Sequence, residues 1–222
     1  MNFDINFAMK LFPLMLRQLH KTIYMSFMAL LLGIVIAILI TIVLESENKV
    51  LKPIIRVYIS FFRGTPLIAQ LFLLHFGVIQ LFPYMSNIDA IYAAILGLGL
   101  NASAYMSESM RGAIESVDKG QYEACYSLGM GYLQTMKRVV LPQAIRVAIP
   151  SLSNSFIDII KGSSIAFALG VNEIMATAQM EGAASYKFFE AFTDVIIIYW
   201  ILISILSFLQ KKLENTIKIE NR

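Results

Sequence analysis

Long apolar runs separated by short polar breaks give the chain its pattern. The runs cover residues 22–44, 67–83, 90–110, 151–171 and 192–210, each near the roughly 20 residues that a helix needs to cross the hydrocarbon of a bilayer. The pattern predicts an all-α fold, a polytopic membrane helical bundle of about five transmembrane helices in a single domain over 1–222. Lys10, Arg17 and Lys21 precede the first run as in a secretory leader. Thr22 to Leu44 nevertheless exceeds the roughly 7–15 residue core of such leaders, and no small-x-small site closes it. It reads as the first span, and Met1 to Lys21 as a helix lying in the interface, with Arg17 and Lys21 one turn apart on one face.

Between the first two runs, Glu45 to Lys49 is a charged turn, and Lys52, Arg56 and Arg63 recur at helical spacing through apolar sequence. That spacing predicts a helix half sunk in the headgroups with its charges toward the cytosol. Gly64-Thr65-Pro66 then breaks the backbone and starts the second span, with proline in the first turn. Tyr84 to Asp89 is a short turn, and Ala93 with Gly97 offers the third span a small-x3-small packing face.

Two spans carry polar residues at membrane depth, where such groups must find partners or line a wet cavity. The third holds Asn101, Ser103, Tyr105, Ser107 and Glu108, and Glu108 can pair with Arg111 three residues on. The fourth opens with Ser151, Ser153, Asn154 and Ser155 and continues with Asp158, Lys161, Ser163 and Ser164. A charge at the bilayer centre costs about 2.5–3.5 kcal/mol, so Asp158 and Lys161 either pair with each other or line a path.

Gln121 to Pro150 is a polar, basic island. A short helix, Gln121 to Leu128, is expected to end at Gly129 in a left-handed cap, and a second, Tyr132 to Val140, to stop near Pro142, which cannot continue it. The result is a compact knob. Small Ala124 and Cys125 allow close approach to another backbone, and Glu123, Lys137 and Arg138 can orient the contact. An ordinary basic loop with two surface helices is the alternative. Asn172 to Glu190, with Glu173, Glu181, Glu190 and Lys187, reads as an external segment, either facing a partner or simply solvated.

Composition narrows the function. With 58% hydrophobic and 15% charged residues, the chain is no soluble domain, and its lipid environment is its largest partner. A net charge of +3 points to no nucleic acid. The single Cys125 excludes an intrachain disulfide. No G-x-x-x-x-G-K-[ST] loop is present, so the chain cannot itself bind and hydrolyse ATP in the usual way; no metal or other cofactor is expected here. Placing the island in the cytosol gathers Lys49, Lys52, Arg56, Arg63, Arg111, Lys119, Lys137, Arg138, Arg146 and the C-terminal basic residues inside, with Lys187 outside. The C-terminus is then cytoplasmic and the N-terminus extracytoplasmic, with Lys10, Arg17 and Lys21 against the rule.

In the island, Glu123-Ala124, then Gly129, then Val139, Leu141 and Pro142 resemble the EAA signature of ABC-importer permeases, with Cys125 where the signature has its second alanine. Phe61 to Leu67 resembles the FRGTP motif of the polar amino-acid permeases, and Leu100 to Tyr105 with Glu108 and Arg111 their third helix. Over nearly its whole length the chain is similar to permease subunits of that family, the histidine, glutamine and arginine type. Through Tyr58-Ile59-Ser60, Arg63 to Phe72, Asp118 to Gln121 and Leu152 to Ile157 it is most similar to those that carry L-cystine.

The resemblance implies an ABC type I importer transmembrane domain in a bacterial cytoplasmic membrane. A coupling loop over 114–150 would dock Gln121, Tyr122, Glu123, Ala124, Cys125, Leu128 and Gly129 onto a separate ABC ATPase. An extracytoplasmic amino-acid binding protein would deliver substrate, a second, identical permease chain would complete the passage, and ATP would drive alternating access. The substrate path would carry Asn101, Ser103, Tyr105, Asn154, Ser155, Ser163 and Ser164. Relatives often place an acid after the lysine at 161; Gly162 stands there, which argues against a cationic substrate. Glutamine, glutamate or another polar amino acid is the alternative solute. An ion-coupled secondary transporter using Glu108, Asp158 and Lys161 is the alternative mechanism. A membrane scaffold without transport has no reason to bear polar groups inside its spans.

Overall fold

The structure, a computed structural model, describes residues 3–83 and 87–219, and these form helices with no strand among them. In chain order they are α1 (Ile5–Leu16), α2 (Leu19–Glu45), α3 (Leu51–Gly64), α4 (Leu67–Leu81), α5 (Ala90–Glu115), α6 (Lys119–Ser127), α7 (Tyr132–Leu169), α8 (Ile174–Ser185) and α9 (Phe188–Ile219). By length and composition α2, α5 and α9 can each cross a membrane alone. The bent pairs α3–α4, at 112°, and α7–α8, at 49°, bring the number to five if each pair is one span. Residues 84–86 of the expected turn at Tyr84 to Asp89, and 220–222 of the tail, lie outside the described residues.

The bundle core is the contact of α2 with α5. It closes because both helices present small residues: a Cβ on Gly33 would stand 3.3 Å from the Gly99 carbonyl oxygen, and one on Gly99 3.2 Å from that of Ala29. This lets the backbones approach as small residues allow in membranes. The tight seam therefore runs through Gly33 and Gly99, whereas Gly97, expected on that face, packs against Leu71 and Leu74 of α4.

α1 does not lie free in the interface. Its Leu11 and Met15 are buried against Ile174, Ala178, Ala191 and Val195 of α8 and α9. Asp4 caps it by accepting from the Phe7 N–H at 3.0 Å and pairs with Lys187 at 2.6 Å. The helix breaks at Arg17 and Gln18 before α2 begins, and Lys21 donates to the Asn172 carbonyl at 3.1 Å. The expected external loop is thus a packed helical turn. Glu173 is fully buried, with one oxygen accepting from the Ala176 N–H, Glu190 is 7% exposed, and only Glu181 faces outward. Two of its three acids are structural, so the segment presents no acidic face.

At the opposite end of α2, Glu45 shares a crevice with Tyr132 and Leu133. There the expected stop at Pro142 does not occur. Tyr132 to Leu169 is one continuous helical path through a π turn, Met136–Val140, immediately before the proline. The wider turn relieves the clash and the missing N–H that proline imposes on an α-helix, and the Gln143 side chain donates to the Val139 carbonyl at 3.0 Å.

Candidate substrate cavity and docking knob

The bend between α3 and α4 follows from Gly64-Thr65-Pro66, where the proline nitrogen has no hydrogen to donate. Gln70, 3% exposed, fills the gap: its side-chain N–H groups reach the carbonyls of Phe62 at 3.0 Å and Thr65 at 3.1 Å, and the Thr65 hydroxyl at 2.8 Å. Asn101 of α5 completes the knot, donating to the Phe62 carbonyl at 3.0 Å and to Gln70 Oε1 at 2.9 Å. Nearby, the Tyr58 hydroxyl meets Ser103 Oγ at 2.7 Å and the Leu100 carbonyl at 2.9 Å. Polar groups of α3 and α5 are thus paired with each other inside the bundle, as lipid-depth burial requires.

Beside this knot, α3, α4, α5 and α7 enclose an open cavity of about 690 Å³. Of the sequence-predicted path residues, Asn101, Tyr105, Asn154 and Ser155 line it together. The other three do not reach it. Ser103 and Ser163 are fully buried, Ser163 donating to the Ile160 carbonyl at 2.8 Å, and Ser164 donates to the Lys161 carbonyl at 2.7 Å. Each satisfies its hydroxyl on its own helix, a use of Ser that sequence spacing does not reveal.

The cavity holds more charge than its hydroxyl-rich sequence announces. Arg63, Glu108 and Asp158 line it, as do Ser109 and Ser151, whose hydroxyls meet at 2.8 Å between α5 and α7. Arg63 stacks over the Tyr105 ring at 5.5 Å and stands 3.9 Å from Glu108, which Arg111 holds at 2.9 Å. Asp158 pairs with Lys161 at 2.7 Å. Asp158 thus makes the expected pair with Lys161 and lines the cavity at the same time. It also lies one helical turn before Gly162, so the acid absent after Lys161 has a counterpart in the same helix. The cost of charge in a span singles out Asp158 from the sequence, and the three-residue spacing to Arg111 singles out Glu108.

The knob stands at the far end of the bundle from α1 and α8. Asp118 caps α6 by accepting from the Gly120 N–H, and the helix ends at Gly129, whose φ of +73° is the left-handed cap read from the sequence. The N–H of Met130 reaches the Cys125 carbonyl at 3.0 Å and that of Gly129 the Tyr126 carbonyl at 2.9 Å, closing the helix end. Gln121, Glu123, Ala124, Leu128 and Gly129 are exposed and Tyr122 is half-buried. Cys125 is buried at 5% exposure and points inward, so it cannot form the close outer contact expected of it. Leu128 and Leu133, at 81% and 80% exposure, both protrude from the hairpin, and no motif in the sequence marks Leu133. Burial, with the Glu45 carboxylate near, pushes the Tyr122 and Tyr132 phenols above their usual range.

A helical bundle with broken spans, a charge-balanced cavity at membrane depth and an apolar-tipped knob defines a membrane transport domain. The chain belongs to the binding-protein-dependent transport system inner membrane component family, whose model matches residues 29–219. It is 49% identical to the probable amino-acid ABC transporter permease protein PatM of Vibrio harveyi, covering 95% of this chain and 94% of that one. It is 42% identical to the probable amino-acid permease protein YxeN of Bacillus subtilis, covering 96% and 95%. Its fold superposes on the crystal structure of an amino acid ABC transporter with histidines at a TM-score of 0.90, 33% identity, and 97% and 100% coverage. Permeases named for L-cystine transport stand at 37% and 32% identity, those for glutamine at 37% and 35%, and one for arginine at 35%. The chain is therefore the permease component of an amino-acid ABC importer, a multi-pass inner-membrane protein that works with a separate ATPase and a substrate-binding protein and is itself no enzyme.

Proposed function

We propose that the importer carries L-cystine and that two identical copies of this chain form its passage. The observation that carries the reading is the charge-balanced cavity: Arg63 and Arg111 stand against Glu108 and Glu115, Lys161 against Asp158, and the rest of the polar lining is amide and hydroxyl. Such a wall suits a solute with equal numbers of ammonium and carboxylate groups, because no fixed charge is left over to repel either. L-cystine is two joined zwitterions related by a twofold axis, and a homodimer would meet it with two like half-cavities. Asn101, Tyr105, Asn154 and Ser155 are its contacts in this reading. Tyr122, Glu123, Leu128 and Gly129, with Gln121 and Ala124, take the ATPase. The knob faces the cytosol with the C-terminus, and α1 the extracytoplasmic side. ATP-driven closure of the ATPase pair would draw two knobs together and bias the passage between its states.

The test is uptake of labelled cystine by proteoliposomes holding permease, ATPase and binding protein. ATP-dependent uptake competed by unlabelled cystine and not by glutamine or glutamate is expected. Competition by glutamine alone removes the cystine reading. The Asp158 carboxylate in the cavity wall favours a second reading, a solute with a cationic side chain, and competition by arginine alone would select it.

A further inference from the structure

On the other side of α7 from the polar cavity lies a second crevice, about 400 Å³, walled by α2, α7 and α9. We infer that this crevice seats an acyl chain of an anionic phospholipid in the knob-side leaflet, with Lys211 and Lys212 meeting its headgroup.

The walls are almost wholly apolar: Leu30 and Ile34 from α2, Leu152 and Phe156 from α7, Leu206 and Leu213 from α9. Its reach matches one leaflet. Leu30 and Ile34 flank the middle of the 27-residue α2, and Leu213 lies where the apolar run of α9 gives way to lysines. Along α7 the lining runs from Ile149 to Ile157, which at about 1.5 Å per residue is roughly 12 Å. A leaflet contributes about 15 Å of the hydrocarbon thickness. An empty groove of that depth in lipid is filled by the nearest chain, since open space forfeits packing contacts.

Charge at the knob-side mouth selects the headgroup. Lys211 and Lys212 are exposed, and neither is in an ion pair among the described residues. Lys212 is three residues from Leu209, which lines the crevice, so it flanks the stripe and can extend its ammonium to phosphate depth. Among the described residues the nearest acid along α9, Glu214, accepts from the Gln210 side chain at 2.9 Å. A second copy of the chain is the other candidate occupant. The polar cavity uses Ser151, Asn154, Ser155 and Asp158, whereas the crevice uses Ile149, Leu152, Phe156 and Ile157, on opposite sides of one helix. A copy that completes the polar cavity therefore leaves this groove to lipid.

Native mass spectrometry of the detergent-purified permease–ATPase complex, titrated with phosphatidylglycerol or phosphatidylcholine, tests the inference. About one phosphatidylglycerol per permease chain, held about tenfold more strongly than phosphatidylcholine, is expected, and the surface variant Lys211→Gln/Lys212→Gln should erase that preference. Leu206→Trp, which fills the groove, should lower retention of both lipids. Equal retention of the two lipids by the unaltered complex, or a preference untouched by the lysine changes, overturns the inference. So does a disulfide between two chains each carrying Leu209→Cys, which would seat a second copy there. None of these readouts depends on which solute is carried.

Discussion

Asn101 on α5 donates to Gln70 on α4 at 2.9 Å, and the same amide reaches back to the Phe62 carbonyl on α3. A residue expected to touch solute thus also ties three helices together at the bend that shapes the cavity. Removing Asn101 leaves the Oε1 of buried Gln70 without its donor, whereas the Phe62 carbonyl keeps the Gln70 amide, a cost of about 1–3 kcal/mol. Asn101→Ala and Gln70→Ala should each lower the thermal midpoint of the purified complex, and the double variant should lower it by less than the sum. Strict additivity would show that the two amides act independently.

At Gly129 a side chain would meet nothing within 4 Å, so its φ of +73° is the whole obstacle to substitution. Gly129→Val should cost about 1–2 kcal/mol at the end of α6, with Gly129→Asn much milder. ATP-coupled uptake should fall in the order Gly, Asn, Val while the amount of permease in the membrane stays level. Uptake by the Val variant equal to that of the unaltered protein would remove the knob from the coupling path.

Leu128 and Leu133 protrude from the knob without supporting the bundle, at 81% and 80% exposure. Burying one such leucine in a partner's pocket is worth about 1.5–3 kcal/mol. Leu128→Asp or Leu133→Asp should reduce co-purification of the ATPase at least tenfold and leave the permease's own thermal midpoint within a degree or two. Retention of the ATPase by both variants would place its contact elsewhere on the knob.

Lys187 holds the Asp4 carboxyl below its usual range through their hydrogen bond, aided by the Phe7 N–H. A depressed acid stabilises the fold above its unfolded pKa of about 4 and loses that contribution as pH falls through the lower, folded value. The difference in thermal midpoint between the unaltered protein and Asp4→Asn should therefore be present at pH 6 and vanish on acidification below about pH 4. A difference independent of pH would assign the role of Asp4 to its cap alone.

What the sequence disclosed was local. The break at Gly64 to Pro66 and the left-handed Gly129 each follow from a few neighbouring residues and stand in the structure, while three of the five apolar runs lie in helices long and apolar enough to cross a membrane alone. What it concealed depends on which helix lies opposite. Nothing near Ser163 distinguishes it from Ser155, yet one is sealed in the core and the other faces the cavity. Glu190 looks like a loop acid until the Asp4 N–H ahead of α1 meets it, and Glu173 until the Tyr199 hydroxyl of α9 does. Pro142 looks like a stop because the π turn that absorbs it leaves no mark in hydropathy.

That π turn has a mechanical result. Because the backbone does not stop at Pro142, the hairpin's second arm and the stretch bearing Asn154, Ser155 and Asp158 are one rod, roughly 40 Å from Tyr132 to Asp158 at about 1.5 Å per residue. The π turn and Pro150 are the points at which it can bend, and a tilt imposed at the knob end is passed along it to the cavity-facing side chains.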